Sequence, residues 1–295
     1  MVGDKGFKKF FVVSVFLLPN LLGFLFFIGI PIVASLGISF TQWDLLSNPK
    51  WIGFENYVSL MSDREFWAAL GHTFYFIGGY LPLVMVGALG IALILNQKIK
   101  GITFFRAAYF VPVITSWVAV SLIWKWLFNP VYGLVNYVLS WFGIAGPAWL
   151  QDPTWAMPAI ILTSVWKDLG FVMVIYLAGL QGISTSYYEA ANMDGASSWQ
   201  KFWYITLPLL NPTTFFVTVI SLINSFQVFD QVMIMTEGGP AGSTSVIVER
   251  IYNHAFRYFE MGYASAISWV LFFIIFIVTL IQIRIQKRMV TDGSE

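Results

Sequence analysis

The chain has 295 residues, of which 58% are hydrophobic and only 11% are charged, and its mean hydropathy is +0.74. A soluble domain of this length could not bury so much apolar surface, so we expect an integral membrane protein. The formal net charge of +1 argues against nucleic acid as a partner. The absence of cysteine excludes disulfide bonds, thiolate metal ligands and a cysteine nucleophile, and two distant histidines leave little for a histidine metal site.

Long apolar stretches predict an all-α membrane protein with six transmembrane helices. The first stretch follows a short basic tail, residues 1–9. It is too long for a signal peptide and lacks a small-residue cleavage site. About 20 helical residues cross a hydrocarbon core of about 30 Å, and each stretch is long enough. We expect one transmembrane domain, residues 10–288, and a tail at 289–295. The predicted spans are 10–40, 74–95, 107–128, 156–180, 209–235 and 263–285.

The distribution of Lys and Arg predicts the orientation of these spans. With the amino terminus inside, the inner segments hold ten basic residues and the outer loops hold four. Basic residues accumulate on the cytoplasmic side of membrane proteins, so we expect both termini in the cytoplasm. The inner set is Lys5, Lys8, Lys9, Lys98, Lys100, Arg106, Lys201, Arg284, Lys287 and Arg288, and the outer set is Lys50, Arg64, Arg250 and Arg257.

A polar segment between the fourth and fifth spans, residues 184–208, predicts two short helices joined by a turn. Ser186 and Glu189 have the spacing of a capping box, so a helix can begin at about Ser186. Asp194 and Gly195 predict the turn, because glycine accepts a positive φ. The predicted orientation places this segment in the cytoplasm. An ordinary interfacial loop is the alternative.

The second half of the segment repeats the capping signal. Ser197 and Gln200 again have capping-box spacing, and the helix that they begin would run to Leu207. Pro208 then suits the first turn of the fifth span. Two capped helices that meet at a glycine turn would form a compact knob on the inner face of the membrane.

This segment resembles the EAA motif of permease subunits in binding-protein-dependent ABC importers. Glu189-Ala190-Ala191 is followed by three residues, Gly195, nine residues and Ile205-Thr206-Leu207-Pro208. The resemblance covers nearly the whole chain and indicates the carbohydrate-uptake branch, the MalF/UgpA/LacF-like permeases. Ser184 is a departure, since relatives often carry Pro just before the motif. The other matching stretches are WIGFENY at 51–57, FNP at 128–130, FDQ at 229–231, MTEGGP at 235–240 and GYASA at 262–266.

The resemblance implies a fold and a function. The fold would be that of a type I ABC importer permease (MetI-like). The function would be alternating-access import of a carbohydrate across the inner (plasma) membrane of a bacterium or archaeon. The polar segment would be the coupling helix, seated in a cleft of a cytoplasmic ATPase, with Glu189 as the charged contact. The coupling residues that it implies are Glu189, Ala190, Ala191, Asp194, Gly195, Leu207 and Pro208.

The resemblance also implies the partners. They are a second permease subunit (forming a heterodimer), two cytoplasmic ABC ATPase subunits, an extracytoplasmic solute-binding protein, the carbohydrate and membrane lipid. The chain lacks a G-x-x-x-x-G-K-[ST] sequence, so ATP and Mg would belong to the ATPase and no cofactor to this chain. We predict no catalytic residue and no metal site. The binding protein is predicted to contact Gly238, Gly239 and Pro240.

Polar side chains at membrane depth are costly and usually face a cavity or a partner. Asn224, Gln227 and Gln231 are spaced i, i+3 and i+7, so they are predicted to share one face of a helix. Amides both donate and accept, which suits sugar hydroxyls. Hydrogen bonding to the partner permease is the alternative. The substrate-path candidates are Asn224, Gln227, Asp230, Gln231, Ser221, Asp168 and Phe171.

Four residues that can carry a charge need separate interpretation. Lys167 and Asp168 are adjacent, so on a helix they point about 100° apart. Lys167 could snorkel to the interface, and Asp168 could form a structural salt bridge instead of lining a cavity. Lys125 is predicted to be an interfacial anchor. His254, on a predicted amphipathic outer helix, is predicted to be a surface residue.

The residues alone also allow other functions. Glycerol-phosphate and polyols are alternative solutes, because related permeases carry them. A secondary transporter would often show an inverted repeat with broken helices, and no such repeat is recognisable in the sequence. A membrane enzyme would need a convergent catalytic set, but His72 and His254 fall in predicted outer segments without suitable spacing.

Overall fold

The computed structural model describes residues 4–97 and 100–291, with side chains for residues 9–97 and 100–286. The described chain is mainly helical, as predicted, with one short β ladder. Helix begins at Asp4, so most of the predicted tail at 1–9 is helical, and the last helix runs to Thr291, into the predicted tail at 289–295. The remaining tail residues and Lys98, which belongs to the predicted inner basic set, lie outside the described residues.

The chain divides into two compact units. The first comprises Met1–Asp63 and Ile251–Phe272, and the second comprises Arg64–Arg250 and Phe273–Glu295. In the first unit a long apolar helix corresponds to the predicted span 10–40. Its candidate membrane span is Lys9–Ser39, with a mean hydropathy of 2.4. The parts of this helix are α1 (Asp4–Phe24), a π-helical turn (Leu25–Gly29) and α2 (Ile30–Ser39).

The segment after α2, predicted as an exterior loop, contains regular structure. The buried Asn56 amide donates to the backbone carbonyls of Ser39 (2.8 Å) and Thr41 (3.0 Å), which fixes the exit of the chain from α2. Asp44 accepts hydrogen bonds from the Ser47 hydroxyl and backbone N–H, both at 2.7 Å, and these bonds lower the pKa of its carboxyl. The elements are β1 (Thr41–Gln42), β2 (Lys50–Trp51), which pairs antiparallel with β1, and α3 (Glu55–Ser62).

His254 is not the surface residue that the sequence predicts. It is buried, 9% exposed, and its Nδ1 lies 2.7 Å from Oε2 of Glu260. Its ring also contacts Tyr263 edge-on, with 4.8 Å between ring centroids. The predicted amphipathic helix is short. It ends at Tyr252, and a π-helical turn follows it. The elements here are α14 (Ile247–Tyr252), the π-helical turn (Asn253–Arg257) and α15 (Met261–Thr291), which contains the sixth predicted span.

The core of the second unit lies between two long helices, α4 (Arg64–Leu95) and α8 (Pro153–Gln181). They contain the predicted spans 74–95 and 156–180, although α4 begins ten residues earlier than predicted. Every fourth residue along one face of α4 is buried. The side chains on this face become smaller toward the carboxyl end of the helix, which allows close helix packing. These residues are Tyr80, Val84, Ala88 and Ala92.

The third predicted span, 107–128, is two helices bent by 100°. They are α5 (Ile102–Ile114) and α6 (Trp117–Leu127). Pro112 has no N–H to donate, Thr115 is extended, and the Ser116 hydroxyl accepts from the N–H of Val118 at 3.2 Å to cap α6. The sequence therefore encodes a stop and a new start within one apolar stretch.

The fifth predicted span, 209–235, is also interrupted. Pro208 lies in a short helix before a bend of 62°, and Pro212 is the proline in the first turn after it. The prediction that Pro208 begins the fifth span is therefore wrong. A second interruption follows Phe226. The elements are α11 (Leu207–Leu209), α12 (Asn211–Phe226) and α13 (Asp230–Met235).

Within the described residues, four helices are long and apolar enough to cross a membrane, or six if each bent pair is one span. One more helix, α7 (Leu134–Trp141), lies in the predicted outer loop between α6 and α8.

We expect Gly170 to be essential for the packing of α5 against α8. A Cβ at this position would lie 2.7 Å from the carbonyl carbon of Tyr109 and 3.2 Å from the Cα of Phe110, so α5 would have to shift. Overpacking of this kind costs about 1–3 kcal/mol. Gly170→Ala should therefore lower the thermal midpoint of the purified protein in detergent, measured by tryptophan fluorescence.

Gly90→Ala is the matched control for Gly170→Ala. Gly90 is in α4, where an added Cβ would meet no described atom within 4 Å, so its midpoint should stay at the wild-type value. Equal midpoints for the two variants would contradict the close approach of α5 and α8.

Candidate functional site

A polar cavity of about 290 Å³ lies inside the second unit. Its wall comes from all four predicted spans that lie wholly within this unit, and it combines aromatic rings, amides and carboxylates. The lining residues are Phe76, Tyr80, Trp117, Asp168, Asn224, Ser225, Gln227, Val228, Phe229, Asp230 and Gln231.

The interruption between α12 and α13 supplies most of the polar wall. Helix α12 ends where the backbone N–H of Gln227 donates to the Asn224 carbonyl at 3.1 Å, and α13 begins at Asp230. The prediction that Asn224, Gln227 and Gln231 share one helical face is therefore wrong, because helical periodicity stops at Phe226. The three side chains line one cavity because the chain turns between them.

Asp168 lines the cavity from α8 and accepts a hydrogen bond from the Tyr80 hydroxyl at 2.9 Å. Tyr80 is 3% exposed and stacks on Phe76, with 5.4 Å between ring centroids and 10° between ring planes. The nearest polar partner of Asp168 is thus a tyrosine on α4 rather than its sequence neighbour Lys167. Because a carboxylate can accept several hydrogen bonds, Asp168 can also accept from a hydroxyl group in the cavity.

Gln231 has a structural contact as well as a place in the cavity wall. It is 6% exposed, and its amide nitrogen donates to the Ser164 hydroxyl at 3.2 Å, which joins α13 to α8. Polar contacts between helices of this kind hold membrane bundles together.

Two predicted path residues lie elsewhere. Among the described residues, neither Ser221 nor Phe171 lines this cavity. Ser221 is 3% exposed, and its carbonyl accepts from the Ser225 hydroxyl at 2.6 Å, whereas Phe171 is 38% exposed. Their assignment to the path stays a prediction.

Sequence reasoning did not identify Tyr80 and Trp117 as site residues, because both lie in apolar stretches. The signal for Trp117 was the Thr115-Ser116 pair directly before it, which marks a helix start where an aromatic side chain can enter a cavity. For Tyr80 the only signal was its hydroxyl, and Tyr75 in the same span carries one as well.

The polar segment forms two helices, and the first begins one residue earlier than predicted. Helix α9 (Thr185–Met193) has Ser184 as its N-cap, whose hydroxyl accepts from the N–H of Ser186 at 3.4 Å. The predicted cap at Ser186, paired with Glu189, is wrong. Ser184, the residue that departs from the family pattern, supplies the cap instead.

The turn at Gly195 is confirmed. Gly195 has φ +74°, the N–H of Ala196 donates to the Ala191 carbonyl at 2.8 Å, and the N–H of Gly195 donates to the Asn192 carbonyl at 3.1 Å. These two bonds form a Schellman motif. An added Cβ on Gly195 would meet no described atom within 4 Å, so the positive φ alone favours glycine here.

The second helix has the predicted capping box at Ser197 and Gln200, with both reciprocal hydrogen bonds present. Two side-chain bonds join the two helices, from Lys201 Nζ to Asn192 Oδ1 at 2.8 Å and between the hydroxyls of Tyr188 and Thr206 at 2.9 Å. The helix consists of α10 (Ser198–Lys201), a π-helical turn (Phe202–Thr206) and α11.

This pair of helices is exposed and carries large apolar side chains. Of the predicted coupling residues, Ala191 and Leu207 are half-buried and the other five are exposed. An exposed apolar cluster of this kind marks a contact surface for protein or lipid. The exposed side chains are Met193 (90%), Tyr204 (81%), Trp199 (69%), Tyr187 (54%) and Trp203 (46%).

The loop predicted to meet a binding protein follows α13. Gly238 is buried, with φ +81°, and Gly239 and Pro240 are half-buried. Thr244 holds the loop closed, since its N–H donates to the Gly238 carbonyl at 3.2 Å and its hydroxyl donates to the Gly239 carbonyl at 2.7 Å.

The comparison with known proteins identifies the family. Residues 73–291 match the family described as binding-protein-dependent transport system inner membrane component. The probable ABC transporter permease protein YesP of Bacillus subtilis (strain 168) is 42% identical over 285 residues, covering 95% of this chain and 92% of the relative. The lactose transport system permease protein LacF of Rhizobium radiobacter is 37% identical, covering 93% and 94%.

A chain of a bacterial ABC transporter involved in the import of the acidic polysaccharide alginate has a similar solved structure. The two structures superpose with a TM-score of 0.85 at 27% sequence identity, and the match covers 96% of this chain and 98% of the other. The chain therefore belongs to the family of inner-membrane permease components of binding-protein-dependent ABC importers and has the MetI-like permease fold.

Proposed function

We propose that this chain is one permease subunit of an ABC importer that moves a carbohydrate across the inner (plasma) membrane by alternating access. The observation that carries the proposal is a polar cavity at a broken span, on the same run of helices as an exposed, capped two-helix knob. A bacterial or archaeal host follows from the family.

The proposed topology has six spans, with α5 and α6 together as the third span, α12 and α13 together as the fifth, and both termini in the cytoplasm. Ten basic residues on the inner segments against four on the outer loops support this orientation. It places the knob of residues 184–208 on the cytoplasmic side and the loop at Gly238–Pro240 on the outer side.

The chemistry of the cavity suits a carbohydrate. Asn224 and Gln227 both donate and accept, Asp168 and Asp230 accept from hydroxyl groups, and the Trp117 ring offers a face for a sugar ring. Relatives with names that specify lactose or alginate transport support the same class of solute.

The knob is proposed as the joint with a separate ATPase. Its two capped helices are tied together, so they would move as one rigid body in a groove of the ATPase. Helix α11 leads through the 62° bend into α12, which ends at Phe226 beside the cavity. A displacement of the knob would therefore be transmitted along α12 to the cavity wall.

The proposed assembly contains a second permease as heterodimer partner, two ATPase subunits that bind ATP and Mg, and a binding protein. A similar solved transporter was determined in complex with a periplasmic protein carrying an alginate pentasaccharide. In this chain the rigid loop of Gly238, Gly239 and Pro240 is the proposed contact for such a protein.

We expect sugar uptake by the reconstituted assembly to require ATP. The permease, its partner subunits and the binding protein would be placed in proteoliposomes and tested with maltose, lactose, cellobiose and trehalose. ATP hydrolysis should increase with the transported sugar, and uptake should stop without ATP. Uptake driven by an ion gradient without the ATPase would contradict the proposal in favour of a secondary transporter, and chemical conversion of the sugar would indicate an enzyme.

Reversing the charge of Glu189 should uncouple the ATPase. Glu189→Lys would place a cation where a carboxylate is proposed to meet the ATPase, so sugar-stimulated ATP hydrolysis should fall by about tenfold or more. Gln97→Lys is the control, because it adds the same side chain at an exposed position on the same proposed side of the membrane. Stimulated hydrolysis at the wild-type rate in Glu189→Lys would refute the coupling role.

Removing the Gln227 amide should weaken sugar recognition. One net hydrogen bond is worth about 1 kcal/mol, so Gln227→Ala should raise the apparent KM for the sugar about fivefold with little change in basal hydrolysis. Gln97→Ala removes an exposed amide far from the cavity and should leave KM unchanged. If Ser221→Ala raises KM and Gln227→Ala does not, the path runs elsewhere on this span.

A further inference from the structure

We propose that Lys167 is a positioning residue of the translocation path, which holds Trp117 in the cavity wall by capping the broken end of α5. This rests on the proposed function, in which the cavity contacts the sugar. Lys167 itself is not among the described lining residues of the cavity, so its effect would pass through Trp117.

The end of α5 has free backbone carbonyls that need partners. A helix leaves its last four carbonyls without intrahelical bonds, and lipid cannot satisfy them. At this end the Thr115 hydroxyl donates to the Val111 carbonyl at 3.0 Å, and the Thr115 N–H donates to the Pro112 carbonyl at 3.2 Å. The Val113 carbonyl accepts from Nζ of Lys167 at 3.2 Å. A side chain on α8 thus satisfies a third carbonyl at the end of α5.

Lys167 does not snorkel. It is 5% exposed, which leaves its ammonium group inside the protein rather than at an interface. The positive charge also suits the carboxyl end of a helix, where the helix dipole is negative. A lysine buried in this way has a local function in the packing of α8, α5 and α6.

The same ammonium group contacts the other side of the bend. Nζ of Lys167 lies 4.6 Å from the centroid of the Trp117 ring, within cation–π distance. Trp117 is the first residue of α6 and lines the cavity. One charged group therefore joins the last turn of α5 to the first turn of α6 and fixes how the ring enters the cavity.

Helix α8 supports the cavity from two adjacent positions. Asp168 faces the cavity and accepts from Tyr80, whereas Lys167, about 100° away on the helix, donates to the Val113 carbonyl and contacts the Trp117 ring. The indole ring and the Asp168 carboxylate are consequently held relative to one rigid element. A sugar that stacks on Trp117 while it donates to Asp168 needs this spacing to be constant.

The test uses the complete reconstituted importer, with whichever of maltose, lactose, cellobiose or trehalose stimulates it most as the probe. Lys167→Met keeps an apolar chain and removes the ammonium group. It should raise the apparent KM for the sugar about tenfold while basal ATP hydrolysis stays within about twofold. Lys167→Arg, which restores a cation, should return KM to within about threefold of wild type.

A double-mutant cycle separates positioning from general damage. If Lys167 acts through Trp117, Lys167→Met should have little further effect on KM in a Trp117→Ala background. Lys125→Met is the control, since the exposed Lys125 caps a helix end at the Ile234 carbonyl (3.0 Å), and it should leave KM unchanged. An unchanged KM in Lys167→Met, or the same increase with and without Trp117, would overturn the proposal.

Two further measurements keep the outcome decisive. Lys167→Gln retains a donor for the Val113 carbonyl, so this variant replaces Lys167→Met if the Met variant fails to assemble. The apparent KM of the Gln variant should also rise.

A labelling assay gives the second measurement. The chain has no cysteine, so Gln227→Cys introduces a single label site in the cavity. Lys167→Met should change its maleimide labelling rate at least about threefold even if no sugar stimulates hydrolysis. An unchanged rate would refute the positioning role, whereas a changed rate without a stimulating sugar would refute only the carbohydrate assignment.

Discussion

Inside a membrane, every backbone N–H and carbonyl must find a partner within the protein, and this constraint governs both interrupted spans of the chain. A helix pairs these groups along its length, but its first four N–H groups and its last four carbonyls have no partner within the helix. The two interrupted spans therefore need extra partners. Lys167 and Thr115 supply them at the end of α5, and Gln231 joins α13 to α8 beside the second interruption. The interruptions are stable because helix α8 passes next to both.

The interruptions in turn provide the polar surface. A continuous fifth span would spread Asn224, Gln227 and Gln231 along the length of one helical face, whereas the turn after Phe226 brings them and Asp230 to one cavity. The neighbouring 62° bend separates this cavity from the exposed knob while keeping them on one run of helices. In the proposed function, the same polypeptide segment would bind a solute at one end and receive a force from the ATPase at the other.

Much of this architecture was predictable from local sequence. The Ser197–Gln200 box and the Gly195 turn formed as predicted, because each depends on hydrogen bonds within about five residues. Membrane helices at α4, α8 and α15 were predictable because their length and apolarity are sufficient signals. Asp168, Asn224, Gln227, Asp230 and Gln231 were identifiable because polar groups are rare at membrane depth.

By itself, the sequence determined the membrane class, the family and the position of the two-helix knob, since these rest on composition and short-range spacing. Only the tertiary structure decided which polar residues meet. Tyr80 on α4 bonds Asp168 on α8 across 88 positions of the chain, and Lys167 reaches Val113 across 54. The bend of 100° likewise has a partner from another helix, Lys167 on α8. Contacts between distant helices have no local signature, because proline and serine mark where a helix can stop and packing decides whether it does.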